Sequence, residues 1–168
     1  MNYWITTDTH FEHKAMTERF GRPIGFEEKI IKGFNQITKD DILIHLGDVA
    51  FGNEKGWCLL MGEYGYKRWL IKGNHDKRSY AWYLNNGFDF VAESITLNYM
   101  GKIVKLSHMP VKDDGYDINI HGHFHDVDLE RCWSFDDLLP IKNDKQHLLM
   151  LEHHYKLVSL ESILKNSK

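Results

Sequence analysis

What most constrains this chain is a series of short apolar runs, at residues 3–6, 42–46, 68–71, 102–106 and 117–120, each ending at polar or glycine residues. Runs of this length are too short for core helices and suit buried strands. Between the first two, Phe26, Ile30, Phe34 and Ile37 recur at helical spacing. Glu27 and Glu28 stand in the first turn, where the helix dipole favours acids, so the pattern predicts a helix over 26–37. Further helices are expected over 53–61, over 77–85 with Gly87 as the stop, and over 159–165 with Ser159 as N-cap. Residues 94–99 and 102–107 flank Met100-Gly101 and read as a hairpin. Strand and helix alternate in the first half, which points to a layered α/β domain, with this more antiparallel-looking hairpin in its second half. With no repeat, linker or low-complexity stretch, residues 1–168 are expected to form one domain.

Each run is followed at once by residues that can carry chemistry. Asp8 and His10 follow the first, Asp48 the second, Asn74 and His75 the third, His108 the hairpin strand, and His123 and His125 the last. In open α/β sheets the carboxyl ends of the strands are where ligands bind, so residues far apart in sequence can converge there. The chain holds 11 histidines, and histidine is a mediocre core filler but the commonest metal ligand. Asp8, His10, Asp48, Asn74, His108, His123 and His125 form a mixed N and O set without sulfur, larger than the four ligands of a closed structural zinc site. Such a set suits two divalent cations about 3.5 to 4 Å apart, with a carboxylate able to bridge and room for water. Gly47, Gly73 and Gly122 precede ligand candidates and permit tight turns and close backbone approach.

Other functions are excluded more simply. Lys+Arg 21 against Asp+Glu 24 leaves a net charge of -3, which gives no strong nucleic-acid-binding signal and no pull to an anionic membrane. No window approaches the roughly 18 apolar residues of a membrane-spanning helix. The N-terminus lacks the basic start of a signal peptide. Cys58 and Cys132 are too few and too far apart for a disulfide framework and read as free thiols in a reducing compartment, so a cytoplasmic protein is expected.

Taken in order, Asp8-Thr9-His10, Gly47-Asp48, Gly73-Asn74-His75-Asp76, His108-Met109-Pro110 and Gly122-His123-Phe124-His125 resemble the calcineurin-like metallophosphoesterase superfamily. Phe11, Arg22-Pro23, residues 45–52 and residues 71–76 extend the resemblance to a small bacterial and phage branch, over roughly residues 3–126 and more weakly at 155–163, where Leu157 replaces a usual proline. The resemblance implies two stacked mixed β-sheets flanked by helices, a four-layer α/β/β/α sandwich. It implies that Asp8, His10 and His125 hold one metal, that Asn74, His108 and His123 hold a second, and that Asp48 bridges them. The metals expected are Mn, Fe, Ni or Zn. A hydroxide shared by the two would attack phosphorus in line, with His75 as general acid at the leaving oxygen and Asp76 poising His75 by a hydrogen bond.

The expected partner is a small phosphoester, diester or monoester, with a nucleotide favoured. The Asp48 motif lacks the arginine that protein phosphatases of the superfamily carry there, and the 34 positions from Asn74 to His108 and 15 from His108 to His123 leave no room for a cap domain. His13 and Arg22 are candidate substrate contacts, the alternatives being a loop histidine and a solvated charge. His45 and His121 are expected to be buried and hydrogen-bonded, and the aromatics from Trp57 to Phe135 to pack in the core or rim. The rival function is a non-catalytic metal- or nucleotide-binding scaffold on the same fold, which the presence of His75 opposes. Nothing in the pattern selects an oligomeric state.

Overall fold

The computed structural model describes residues 1–112, 114–125, 144–153 and 155–167; Cys132, Trp133, Phe135 and His154 lie outside them. In chain order the elements are β1 (Tyr3–Thr6), α1 (Lys14–Glu18), α2 (Phe26–Phe34), β2 (Ile42–His45), α3 (Glu54–Gly62), β3 (Lys67–Ile71), α4 (Tyr80–Asn85) and β4 (Phe90–Ala92). They continue with β5 (Ser94–Tyr99), β6 (Lys102–Ser107), β7 (Ile118–His121), β8 (Gln146–Leu148), a 3₁₀ turn (Leu151–His153), β9 (Val158–Ser159) and α5 (Leu160–Asn166). One sheet has the order β4-β3-β2-β1-β9 and the other β5-β6-β7-β8. Neighbours run parallel except β9 on β1 and β5 on β6, so both sheets are mixed.

The sheets stack through one apolar core. Ile5, Ile44 and Ile71 of the first meet Val104, Leu106, Ile118 and Ile120 of the second, and α5 adds Leu160 and Ile163. On the outer face of the first sheet, Phe26, Ile30 and Phe34 of α2, Cys58 and Met61 of α3 and Tyr83 of α4 pack with Leu43 and Leu70. Two stacked mixed sheets flanked by helices are therefore what the chain forms. All four residues of β2 and of β7 are buried, because each strand is covered on both faces; β2 accordingly opens with three apolar residues in a row, while β7 carries Asn119 and His121 as buried polar groups.

Local capping sets the helix limits and shifts some from their expected places. The second helix ends at Phe34 rather than 37, leaving buried Ile37 in the turn beyond it. The third starts at Glu54 because the Asn53 side chain accepts from the Gly56 N–H. Extended Ser79 accepts from Trp82 N–H and starts α4 at Tyr80, so Lys77 and Arg78 stay in the preceding loop. Ser159 caps α5 by accepting from Ser162 N–H. Met100 (φ 51) and Gly101 (φ 76) both adopt positive φ at the hairpin tip, the twist that a two-residue turn between right-twisted strands requires. Periodicity did not anticipate α1, β4, β8 or β9, elements too short to complete a repeat.

Candidate metal centre

The loops leaving β1, β2, β3, β6 and β7 meet at one edge of the stacked sheets. The β1 and β2 loops continue side by side: Asp8 N–H donates to the Gly47 carbonyl at 2.9 Å, His10 N–H to that of Asp48 at 3.0 Å, and Phe11 N–H to that of Val49 at 3.1 Å. Asp8 (φ 49), His10 (φ 46), Asp48 (φ 58) and His123 (φ 72) all hold left-handed backbone. Such conformations are uncommon outside glycine, and their concentration at ligand candidates marks a site whose shape the surrounding structure imposes. Two glycines make the convergence possible. Gly47 has φ +96, and a Cβ there would run into the backbone of Gly73. At Gly122 a Cβ would strike Thr7 Oγ1 and Asp8 Oδ2. With that space free, His123 N–H donates to Asp8 Oδ2 at 2.9 Å and ties the two sheets together.

Two clusters result, Asp8 with His10 and His125, and Asp48 with His108 and His123, the ligand atoms of each lying within 4.8 Å of one another. In the first, Asp8 Oδ1 and His10 Nε2 are buried without a hydrogen-bond partner and lie 3.9 Å apart. The Nε2 of His125 is also 3.9 Å from that Oδ1. Buried polar atoms are nearly always satisfied, so this pair calls for a cation. In the second, His108 Nδ1–H donates to the Leu46 carbonyl at 2.7 Å, which leaves the lone pair on Nε2. That Nε2 is 2.8 Å from Asn74 Oδ1 and 3.1 Å from His123 Nδ1. Nε2 and Oδ1 are then two acceptors with no proton between them, an arrangement that a cation resolves. A single oxygen, Asp48 Oδ2, lies 3.6 Å from His10 Nε2 and 3.5 Å from His108 Nε2, within reach of both clusters.

The electrostatics fit the same occupant. Burial raises the Asp48 carboxyl to about 7; nearby His108 opposes the rise, and the Asp8 and Asp76 carboxylates add to it. Burial lowers His10 to about 2 and His123 to about 4, so both are neutral at pH 7, the form that offers a lone pair. For His125 burial also lowers the value, but the hydrogen bond to Glu152 and the charge of Asp8 outweigh it and raise the ring above its ordinary range. Two carboxylates, Asp8 and Asp48, packed among four imidazoles are a donor set suited to divalent metal.

Around these clusters the structure redistributes several expected roles. Arg22, expected against substrate, is only 2% exposed. Its guanidinium donates to Glu152 and to the carbonyls of Asp8 (2.7 Å) and Thr9 (3.0 Å), because a buried charge must be paired. Glu152 also accepts from His125 Nδ1 at 3.0 Å, a partnership that no spacing in the sequence announced. Asp76 does not orient the His75 ring. Its carboxylate accepts from the N–H groups of Asp48 (2.8 Å), Val49 (3.0 Å) and Gly73 (2.8 Å) and so pins the β2 loop to the β3 loop. His75 is exposed, its N–H donating to Asp48 Oδ1 at 2.8 Å and its ring 5.0 Å from that of Phe51. Burial, with Lys77 and His108 nearby, lowers its pKa. His13 stacks on the other ring contact of the group, Phe51, at 3.8 Å. A cavity of ≈ 130 Å³ opens among His10, His13, Phe20, His75, His123 and His125.

His45 and His121 are fully buried and hydrogen-bonded, as expected. Gly47 N–H donates to His45 Nδ1 at 3.1 Å, so His45 Nε2–H donates to Thr9 Oγ1 at 2.8 Å. His121 Nδ1–H donates to the Gly122 carbonyl at 3.1 Å.

The sequence matches the calcineurin-like phosphoesterase family over residues 1–165. Solved structures of similar fold include a protein of unknown function from Aquifex aeolicus, 24% identical, with 98% of each chain covered and a TM-score of 0.77. A weaker structural match is to a novel archaeal phosphodiesterase, 18% identical, with 74% of this chain and 73% of that one covered and a TM-score of 0.47. No curated protein matches the sequence. The Aquifex likeness shows the fold.

Proposed function

The chain belongs to the calcineurin-like phosphoesterase family, and from that premise we propose that it is a two-metal hydrolase of a phosphodiester or phosphomonoester, a nucleotide or small ester rather than a phosphoprotein. The observation that carries the reading is the position of Asp48 Oδ2, 3.6 Å from His10 Nε2 and 3.5 Å from His108 Nε2. Asp8, His10 and His125 would hold the first cation, Asn74, His108 and His123 the second, and Asp48 both. Mn, Fe, Ni or Zn suits this N and O set, with availability deciding among them. Bound there, divalent cations supply charge neutralisation on the phosphoryl oxygens and a water of lowered pKa.

The chain's own residues supply the rest. His75, exposed at the cleft with its N–H fixed on Asp48, donates the proton to the leaving oxygen. His13, stacked on Phe51 with its Nδ1 3.4 Å from His10 Nδ1, contacts the ester. On this reading residues 1–168 are one domain, and the 34 positions from Asn74 to His108 and 15 from His108 to His123 leave no room for a cap over the cleft. A cytoplasmic location suits the free, buried thiol of Cys58; among the described residues no helix is long and apolar enough to cross a membrane.

The test is hydrolysis of bis-p-nitrophenyl phosphate and p-nitrophenyl phosphate by metal-stripped protein titrated with Mn²⁺, beside His75→Ala. Turnover is expected only with metal, and the ratio of the two esters assigns diester or monoester preference. His75→Ala should keep its cations and lose about 10²- to 10⁴-fold in turnover. Unchanged turnover would remove the acid role. Two cations bound with neither ester cleaved would favour the non-catalytic scaffold.

A further inference from the structure

We infer that Glu152 is a positioning residue that sets the cation affinity of the Asp8–His10–His125 cluster and leaves the Asp48–His108–His123 cluster alone. The inference rests on the two-metal reading and adds to it a residue from the C-terminal segment.

One oxygen, Glu152 Oε1, accepts three N–H groups: His125 Nδ1 at 3.0 Å, Arg22 Nε at 2.9 Å, and Arg22 Nη2. The His125 bond fixes that ring with Nε2 as its lone-pair nitrogen, and Nε2 faces Asp8 Oδ1 at 3.9 Å. A carboxylate behind a ligating imidazole both aims the ring and makes it a stronger donor. Arg22 carries the restraint further. It donates to the Asp8 carbonyl at 2.7 Å and the Thr9 carbonyl at 3.0 Å, so the backbone that presents Asp8 and leads into His10 hangs on the same carboxylate. All three members of the first cluster are thereby fixed, directly or through Arg22, by Glu152.

The pairing is non-local and dry. Glu152 is 130 residues from Arg22 and 27 from His125. The side chains of Arg22 and Glu152 are 0% and 7% exposed. A 3₁₀ turn, Leu151–His153, delivers the carboxylate, and buried Leu151 seats that turn in the helix-side core. Among the described hydrogen bonds none joins Glu152 or Arg22 to a side chain of the second cluster, which touches the first through the His123 N–H on Asp8 Oδ2. His108 takes its tautomer from the Leu46 carbonyl, and Asp48 is held through the Asp76 carboxylate and the His75 N–H. Among the described hydrogen bonds, those of Glu152 go to Arg22 and His125.

The experiment is a calorimetric Mn²⁺ titration of the metal-stripped full chain, comparing wild type, Glu152→Gln, His108→Ala and the double variant. Wild type is expected to bind two ions. Glu152→Gln keeps the shape and removes the charge, and should weaken one of the two sites about 10- to 100-fold with the other unchanged. His108→Ala, left with the first site, should show that same loss when Glu152→Gln is added. The unaffected site reports folding within the same titration, so a fall in both sites together would overturn the inference by making Glu152 a prop of the whole fold. Two sites of unchanged affinity in Glu152→Gln would overturn it as well. A wild-type chain that binds no Mn²⁺ would instead bring down the two-metal reading beneath it.

Discussion

His108 and His125 stand in equivalent places, one in each cation cluster, but their second nitrogens are held by different kinds of partner. For His108 it is a main-chain carbonyl, that of Leu46, which follows directly from β2. For His125 it is the side chain of Glu152, itself bonded to buried Arg22. A carbonyl at a strand end comes with the sheet, whatever side chain occupies the position. A carboxylate from another segment has to be delivered by tertiary packing and is lost by one substitution. The tautomer of His108 thus comes with the sheet edge, whereas that of His125 depends on the C-terminal segment returning to meet it.

The variant expected to do most is the one that removes what the clusters share. Asp48→Asn keeps the shape at Oδ2 but loses the charge that faces both imidazoles, so both cation affinities should fall by more than the about 100-fold reached by changing a supporting group. A Mn²⁺ titration in which one site kept its wild-type affinity would show that the carboxylate serves a single cluster. A smaller effect is expected at Gly122→Ala. The new Cβ would press on Thr7 Oγ1 and Asp8 Oδ2, an overpacking of about 1 to 3 kcal/mol that lowers the melting temperature. Since Asp8 has to give way, the first site should weaken more than the second, and equal weakening in the titration would show that the two clusters share their support.

The smallest change is a control at the opposite end of β2. Asp41 is 3% exposed and accepts from the N–H groups of Asn2 and Thr38, the Thr38 hydroxyl and the Trp4 indole. Burial would raise its carboxyl, but these bonds outweigh it and pull the value down to about 2 from an unfolded value near 3.8. A depressed carboxylate stabilises the fold fully above the unfolded value, and that contribution disappears as pH falls through the folded one. Asp41→Asn should therefore cost about 1 to 2 kcal/mol in urea unfolding at neutral pH, with a difference from wild type that shrinks between pH 3.8 and about 2. Neither cation affinity should move; a shift in either would mean that the two ends of the strand are coupled.

Much of this was legible in the chain. The runs that became β1, β2, β3, β6 and β7 are visible because each gathers the apolar residues of a core strand into four or five positions bounded by polar residues or glycine, and the hairpin tip because Met100-Gly101 separates two β-prone stretches. β8 and β9, at three and two residues, have no periodicity to read. Arg22 reads as a substrate contact or a solvated charge, and Asp76, by the resemblance, as a partner for His75, because neither spacing nor motif shows what a side chain meets across the fold. The structure instead gives Asp76 to three loop N–H groups, since buried amides must find acceptors and a carboxylate can take several.

By itself, then, the sequence determined which residues stand just past a strand end, because apolar runs and the glycines that stop them are local properties of the chain. The motif resemblance implied how those residues divide into two clusters with Asp48 between them; only the tertiary structure decided that Asp48 Oδ2 lies at 3.6 and 3.5 Å from one imidazole of each, and that Glu152 and Arg22 stand behind the first. Those outcomes depend on how the two sheets stack and where the C-terminal segment returns, and a pairing across 130 positions leaves no spacing to read.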